Sequence, residues 1–451
     1  MSALFGTDGI RGEAGKFPLD HATVRQIGFS LARYLKSHGE DNPSIVIGRD
    51  TRESGPWLER SIIEGATSAG AQSHTAGVIT TPGVAFLTGA MNAAAGIVIS
   101  ASHNPYHDNG IKIFSASGRK IDDTVERFIE AEIFAGVRPE AARVELNEDA
   151  IGDSSELQNR YLSFLSEKIA RDLSLTGLTI VVDCANGASY RLAPLLFERL
   201  GARVVAINNE PDGRNINLNS GSLHIEALQE KVVREKADLG VAFDGDADRS
   251  LFVDHQGGSV DGDAALWVLA CDLQQRSQLK DDTVVATVMS NIGLEIALRE
   301  KGIRLVRTDV GDKYVLDELL RLNASLGGEQ SGHVILPALS LAGDGMITAL
   351  CLLRALRNGE ISLANATRGF ERYPQTLVNV RVKNKPPISS LPGVERVMIA
   401  VERQLADKGR LLLRYSGTEP LARVMIEGQN QSEIEGYAEK IATAIQQEIG
   451  L

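Results

Sequence analysis

Cysteine is scarce in this chain: Cys184, Cys271 and Cys351 are the only three among 451 residues. They are widely spaced and odd in number, which excludes a disulfide framework or a thiolate zinc site and fits a reducing, cytoplasmic setting. Long apolar runs are missing too; none approaches the roughly 20 residues that a membrane span needs. The first residues lack the basic, then apolar, then small order of a secretory signal. Positive charge is in short supply, with 47 Lys and Arg against 59 Asp and Glu and a formal net charge of −12. That balance argues against non-specific binding to nucleic acid or to an anionic membrane, although a local basic pocket can still hold a phosphate. No G-x₄-G-K-[ST] phosphate loop, G-x-S-x-G elbow or H-E-x-x-H helix occurs. ATP-dependent transfer by a P-loop and serine-hydrolase chemistry therefore lose support.

What is present is an ordinary globular composition, 43% hydrophobic and 24% charged, in a chain too long for one hydrophobic core. Apolar runs predict strands over 44–48, 97–99, 179–183, 202–207, 239–243, 283–288 and 303–307. Helices are predicted over 56–69, 191–200, from 292, and over 314–322. Repeated strand–helix–strand order implies α/β modules with helices packed on sheets; we divide them as 1–155, 156–255 and 256–370. The remainder, 371–451, differs. After Pro386-Pro387 it predicts a helix over 394–405, strands over 410–414 and 422–427 flanking a turn, and a helix over 433–448. Two helices on an antiparallel sheet make a compact α+β domain. No repeat at a fixed period is present.

Four stretches carry chemistry. In Ile97-Val98-Ile99-Ser100-Ala101-Ser102-His103-Asn104-Pro105 a buried strand stops at small and turn-forming residues. Ser102 is thereby placed at a strand's end, where α/β proteins bind ligands; Lys112 follows on the next apolar run. A polar turn alone demands no chemistry, so a phosphoryl carrier and an ordinary turn both fit. In Asp244-Gly245-Asp246-Ala247-Asp248-Arg249 three alternating carboxylates offer hard oxygen ligands to a divalent cation, and Arg249 could bind phosphate oxygens. An EF-hand fails, because its sixth position is Arg249 and its twelfth His255. The similar Asp261-Gly262-Asp263-Ala264 lacks the third carboxylate and reads as a plain turn. Gly327-Gly328-Glu329-Gln330-Ser331-Gly332-His333 offers Glu329, Ser331 and His333 to sugar hydroxyls or an amine, with a structural histidine equally open. Arg414-Tyr415-Ser416-Gly417-Thr418-Glu419-Pro420, with Arg423, could cradle an anion. Phe5-Gly6-Thr7-Asp8-Gly9-Ile10-Arg11-Gly12 adds Arg11.

Together, in this order, the four stretches resemble the phosphoserine, metal, sugar-binding and phosphate-binding loops of the α-D-phosphohexomutase superfamily. The resemblance covers essentially the whole chain. Within the superfamily, the Phe5–Gly12 segment and Gln330 look most like the branch that acts on glucosamine phosphates. Many members have Pro where this chain has Tyr415.

The resemblance implies an α/β fold of three domains with mixed sheets around a central cleft, plus the smaller C-terminal α+β domain. It implies interconversion of glucosamine 6-phosphate and glucosamine 1-phosphate through phosphorylated Ser102 and a 1,6-bisphosphate, toward UDP-N-acetylglucosamine and the cell wall. One Mg²⁺ would be held by Asp244, Asp246, Asp248 and the Ser102 phosphate. Arg249 and Lys112 would add positive charge, and Lys112 could protonate the leaving serine oxygen. His103 and His333 compete for the role of base. Arg11, Glu329, Ser331 and His333 would hold the sugar; Arg414, Ser416, Gly417, Thr418 and Arg423 the distal phosphate. The expected partner is the phosphosugar, with a homodimer left open. A glucose or mannose phosphate preference, and a phosphatase, are the alternatives.

Overall fold

A computed structural model describes residues 4–6, 8–137, 154–416 and 419–451. The chain divides into two compact units: Met1–Val288 with Val306–Thr367, and Met289–Leu305 with Arg368–Leu451.

The larger unit is built on mixed sheets. The first has six strands, in which Ala95–Ile99 runs parallel to Ser44–Arg49 and antiparallel to Asp108–Ser115. In the second sheet, Leu239–Phe243 is parallel to Thr179–Asp183 and antiparallel to Ser250–Asp254. In the third, Thr283–Thr287 is parallel to Leu326–Gly328, which pairs antiparallel with Val334–Ile335. Ala95–Ile99, Leu239–Phe243 and Leu326–Gly328 are buried along their whole length. Covered on both faces, such strands read as unbroken apolar or small-residue runs. Each ends at one of the loops that carry chemistry.

Several helices had no sequence expectation, among them Thr81–Ala90, Gly262–Gln275 and Gly345–Gly359. Most of their residues are buried, and in Thr81–Ala90 and Gly262–Gln275 the two-faced pattern that marks a surface helix is weak. One expectation is corrected: 261–264 is not a plain turn. Asp261 is the N-cap of Gly262–Gln275, its carboxylate accepting from the Ala264 amide at 3.1 Å, which satisfies a donor left over at the helix start.

In the smaller unit the strands Arg410–Tyr415 and Leu421–Glu427 pair antiparallel, and a third, Gln375–Arg381, extends the sheet on the far side of Leu421–Glu427. Of that third strand's seven residues only Val380 is buried, which left little apolar signal. Helices Pro392–Leu405 and Gln431–Ile449 pack on one face through Val394, Val401, Ile434 and Ile441. On the other, the fully buried Glu427 carboxylate accepts from Arg410 Nε (2.9 Å), the Ile292 amide (3.1 Å) and Asn291 Nδ2 (3.3 Å). Helix Ile292–Glu300 is thereby fastened to this sheet. Among the described residues, no helix is long and apolar enough to cross a membrane.

Candidate active site

Ser102 lies just beyond the Ala95–Ile99 strand, 2% exposed and at φ +52°. A non-glycine residue in that region costs on the order of 1–3 kcal/mol and persists only where its surroundings over-determine it. They do here. Arg52, itself buried, donates from Nη2 to the carbonyls of Ser102 (3.0 Å) and Asn104 (2.9 Å), and from Nη1 to that of Pro105. Asp50 fixes Arg52 at 2.9 Å and also accepts from Ser100 Oγ at 2.6 Å. From the second sheet's side, Asn217 Nδ2 donates to the Ser102 carbonyl at 2.8 Å. Sequence reasoning missed Arg52 and Asn217. Asp50-Thr51-Arg52 follows an apolar strand directly, the same signal that singled out Ser102, whereas nothing local marks Asn217.

The acidic loop meets Ser102 face to face. Ser102 Oγ donates to Asp244 Oδ2 at 2.6 Å. A Cβ on Gly245 would lie 2.5 Å from the Ser102 carbonyl oxygen, so only glycine lets the two loops approach this closely. One oxygen each from Asp244, Asp246 and Asp248 fall within 4.8 Å of one another. Burial and its two acidic neighbours push the Asp244 carboxyl well above the usual range. At Asp248 burial opposes charge as well, but Lys112, His333 and Arg249 outweigh it and hold the carboxyl well down. Asp246 Oδ1 and Asp248 Oδ1 are buried and accept no hydrogen bond. Unsatisfied hard oxygens in an anionic cluster are what a divalent cation needs, and such an ion would reverse the upward push on Asp244. The donor set fits a metal.

Cations surround the triad. Lys112 Nζ, 1% exposed, lies 2.9 Å from Asp246, 3.1 Å from Asp8 and 3.7 Å from Asp248. Burial disfavours its charge, but Asp246, Asp8 and Asp248 more than compensate and raise it well above an ordinary lysine. Arg11 pairs with Asp8 at 2.5 Å and reaches the Ala101 carbonyl at 3.3 Å. Arg249 donates its amide to Asp244 Oδ1 at 3.2 Å, while its buried Nε has no hydrogen-bond partner.

The two histidines have opposite surroundings. His103 Nδ1 lies 3.2 Å from Ser102 Oγ; burial, then Arg249 and Arg11, lower its pKa to about 4. His333 sits between Asp248 (3.7 Å) and Asp312 (3.9 Å). Burial works against its charge, but Asp248, Asp312 and Glu329 prevail and raise it to about 9. Glu329 accepts from the Gly311 amide at 3.1 Å and from Ser331 Oγ at 3.3 Å. Arg11, Arg249, Glu329 and His333 line one cavity with Asp8 and Asp312.

The segment 414–420, expected to hold the distal phosphate, belongs to the smaller unit. There Arg414 and Arg423 are direct cross-strand partners, so their side chains leave the same face. Like charges placed opposite each other are destabilising without an anion between them. Arg423 is paired with Glu419 at 3.0 Å, and its buried Nε has no partner. Ser416 Oγ accepts from the Glu419 amide at 3.2 Å. Gly417 and Thr418 lie outside the described residues.

Matches to the four domains described for phosphoglucomutase/phosphomannomutase run the length of the chain: domain I over 2–139, domain II over 159–258, domain III over 261–373 and the C-terminal domain over 377–444. A phosphoglucosamine mutase of Solibacter usitatus is 51% identical over 99% of each chain. The chain belongs to the phosphoglucomutase/phosphomannomutase family. Among solved structures, a phosphoglucomutase/phosphomannomutase family protein from Burkholderia thailandensis superposes with a TM-score of 0.80 at 23% identity, covering 100% of this chain and 99% of that one. The N-acetylphosphoglucosamine mutase of Aspergillus fumigatus, solved with GlcNAc-6P and magnesium, gives a TM-score of 0.64 at 16% identity over 98% and 95%. At such identities they speak to the phosphoglucomutase/phosphomannomutase fold alone.

Proposed function

We propose that this family member is a phosphoglucosamine mutase, interconverting glucosamine 6-phosphate and glucosamine 1-phosphate through phosphorylated Ser102 and a 1,6-bisphosphate. The observation that carries the reading is the 2.6 Å contact of Ser102 Oγ with the Asp244–Asp246–Asp248 cluster. The 51% identity to a relative of that name supports the sugar class. The modules we divide at 155, 255 and 370 then supply phosphoserine, metal, sugar and distal-phosphate loops in turn.

Phosphoryl transfer depends on positioning and on neutralising charge. Mg²⁺ on the three aspartates and the serine phosphate would withdraw charge from the transferring group. Arg52 and Asn217 hold the Ser102 carbonyl, so the nucleophilic oxygen keeps its place as the phosphoryl group leaves and returns. In the forward half, a sugar hydroxyl oxygen bonds to phosphorus, the bond from phosphorus to Ser102 Oγ breaks, and the hydroxyl proton must be taken up. Between the competing histidines, His103 suits the base: it lies beside Ser102 Oγ and its surroundings keep it neutral. His333, held charged, suits a contact to phosphate or sugar oxygens. Lys112, enclosed by carboxylates, suits a fixed positive charge better than a proton donor. Glu329 and Ser331 face the sugar, and Arg414, Ser416 and Arg423, with Gly417 and Thr418 from the same motif, take the distal phosphate.

Initial rates on glucosamine, glucose and mannose 6-phosphates test the sugar class. A preference for glucosamine is expected. A clear glucose or mannose preference overturns it, and release of inorganic phosphate without sugar 1-phosphate points to a phosphatase. At the distal site, Arg423→Ala should raise KM about 10- to 100-fold, since a hydrogen bond to a charged group is worth about 1.5–3 kcal/mol. Steady-state kinetics should show a much smaller change in kcat.

A further inference from the structure

Lys120 lies in none of the four motifs, yet its side chain is only 23% exposed and touches two carboxylates. Its Nζ is 2.7 Å from Asp8 Oδ1 and 2.7 Å from Asp312 Oδ2. Asp312 opens the helix Asp312–Leu322 and lies 3.9 Å from His333 Nε2. His333 Nδ1 is 3.7 Å from Asp248, Asp248 is 3.7 Å from Lys112, and Lys112 is 3.1 Å from Asp8. The contacts close on themselves. Asp8, Lys120, Asp312, His333, Asp248 and Lys112 form a ring in which carboxylates alternate with cationic side chains.

The ring gathers residues that are far apart in the chain. Asp8, Lys112 and Lys120 come from the first sheet and its connections, Asp248 from the metal loop, and Asp312 and His333 from the third segment. Asp8, Asp248, Asp312 and His333 line the cavity bounded by Arg11, Arg249 and Glu329, whereas Lys120 does not. Together with the other five ring members it lines a neighbouring cavity, whose apolar wall is formed by Phe114, Leu316, Ile335 and Leu341. Lys120 is thus absent from the lining that Arg11, Arg249 and Glu329 share, and meets it through Asp8 and Asp312.

We propose that Lys120 is a positioning residue for the mutase reaction. By bridging Asp8 to Asp312 it sets the carboxylates that in turn hold Arg11 and Lys112 on one side and His333 on the other. Without it, Asp8 and Asp312 face each other with one cation fewer between them. Each is then drawn toward its remaining cation, and the groups that neutralise the transferring phosphoryl group move with them. Displacements of about 1 Å at reacting groups can cost roughly 100-fold in rate.

The same contact region contains a built-in control. Lys313 pairs with Asp123 at 2.7 Å, joining the same helix to the first domain outside the ring, and both partners are largely exposed. If Lys120 merely fastens that helix, Lys313→Met should mimic its loss.

The inference rests on the mutase reading, so kinetics are measured on whichever hexose 6-phosphate the wild-type enzyme turns over. A wild type inactive on glucosamine 6-phosphate then overturns the sugar assignment without touching this one. Lys120→Met is expected to lower kcat about 10- to 100-fold with KM within about threefold, the pattern of an interaction that matters in the transition state. Lys313→Met should keep kcat within about twofold. Asp312→Asn should lower kcat as well, and the double variant Lys120→Met/Asp312→Asn should lose far less than the product of the single losses, because the two residues act as one unit. Thermal unfolding of each variant separates misfolding from misplacement. If Lys120→Met does not fold, Asp312→Asn, which leaves Lys120 paired with Asp8, carries the kcat test. Unchanged kcat, a loss confined to KM, equal effects of Lys313→Met, or multiplicative losses in the double variant each overturn the proposal.

Discussion

Replacing Ser102 with alanine should abolish interconversion, leaving less than about one part in 10⁴ of the wild-type rate, because a lost nucleophile removes the covalent route itself. The fold should survive. Among the described residues the Ser102 hydroxyl makes two polar contacts, to Asp244 and His103, whereas the loop is held by its main-chain carbonyls through Arg52 and Asn217. Substrate affinity measured by calorimetry should therefore stay within about tenfold of wild type. Intact-mass analysis should find one phosphoryl group on the wild-type chain, mapped to Ser102, and none on the variant. Substantial residual turnover, or phosphate at another residue, would sink the phosphoserine mechanism while leaving sugar-phosphate binding in place.

Asp246→Asn should have the second-largest effect. The amide keeps the side chain's shape but removes the charge from the residue whose Oδ1 is buried without a partner. Its Oδ2 accepts from Lys112 at 2.9 Å and Thr81 at 2.5 Å. A loss of roughly 10³-fold in kcat is expected, corresponding to about 4 kcal/mol of transition-state stabilisation by metal and lysine together. Adding Mg²⁺ should raise the thermal midpoint of the wild type, because a ligand that binds only the native state stabilises it by mass action. The variant should respond much less. Chelation should silence the wild type, and Mg²⁺ should restore it. A variant with full activity and a full thermal response to Mg²⁺ would remove Asp246 from the metal set.

The features legible in the sequence were those whose cause is local. The strands 179–183 and 239–243 appear with the expected bounds, because an apolar run between turn residues has few other solutions. Ser102 and the three aspartates stood out because polar groups follow such a run at once. Asp50 and Arg52 obey the same rule, but their purpose depends on carbonyls some 50 residues away and no local pattern announces it. Lys120 and Asp312 are harder still. Each looks like a surface charge near a turn or helix start, and only the meeting of two chain segments 192 residues apart makes them partners. The opposition of Arg414 and Arg423 needed the strand register, which a turn of ordinary composition does not disclose. The buried helices were missed for a related reason: Thr81–Ala90 has no charged residue and is buried on most sides, so its period carries no direction.

The bonds that Glu427 makes with Asn291 and Ile292 carry a consequence for exchanging parts between relatives. Sequence order places 289–305 inside the third domain's stretch, yet these residues fold with 368–451. A graft that swaps only the C-terminal domain would set a foreign sheet against the native helix Ile292–Glu300, leaving the Ile292 N–H to find another acceptor. A chimera that exchanges both stretches together keeps that buried carboxylate with its donors. The boundary for recombination in this protein is therefore discontinuous: two separate pieces of chain must be inherited as one.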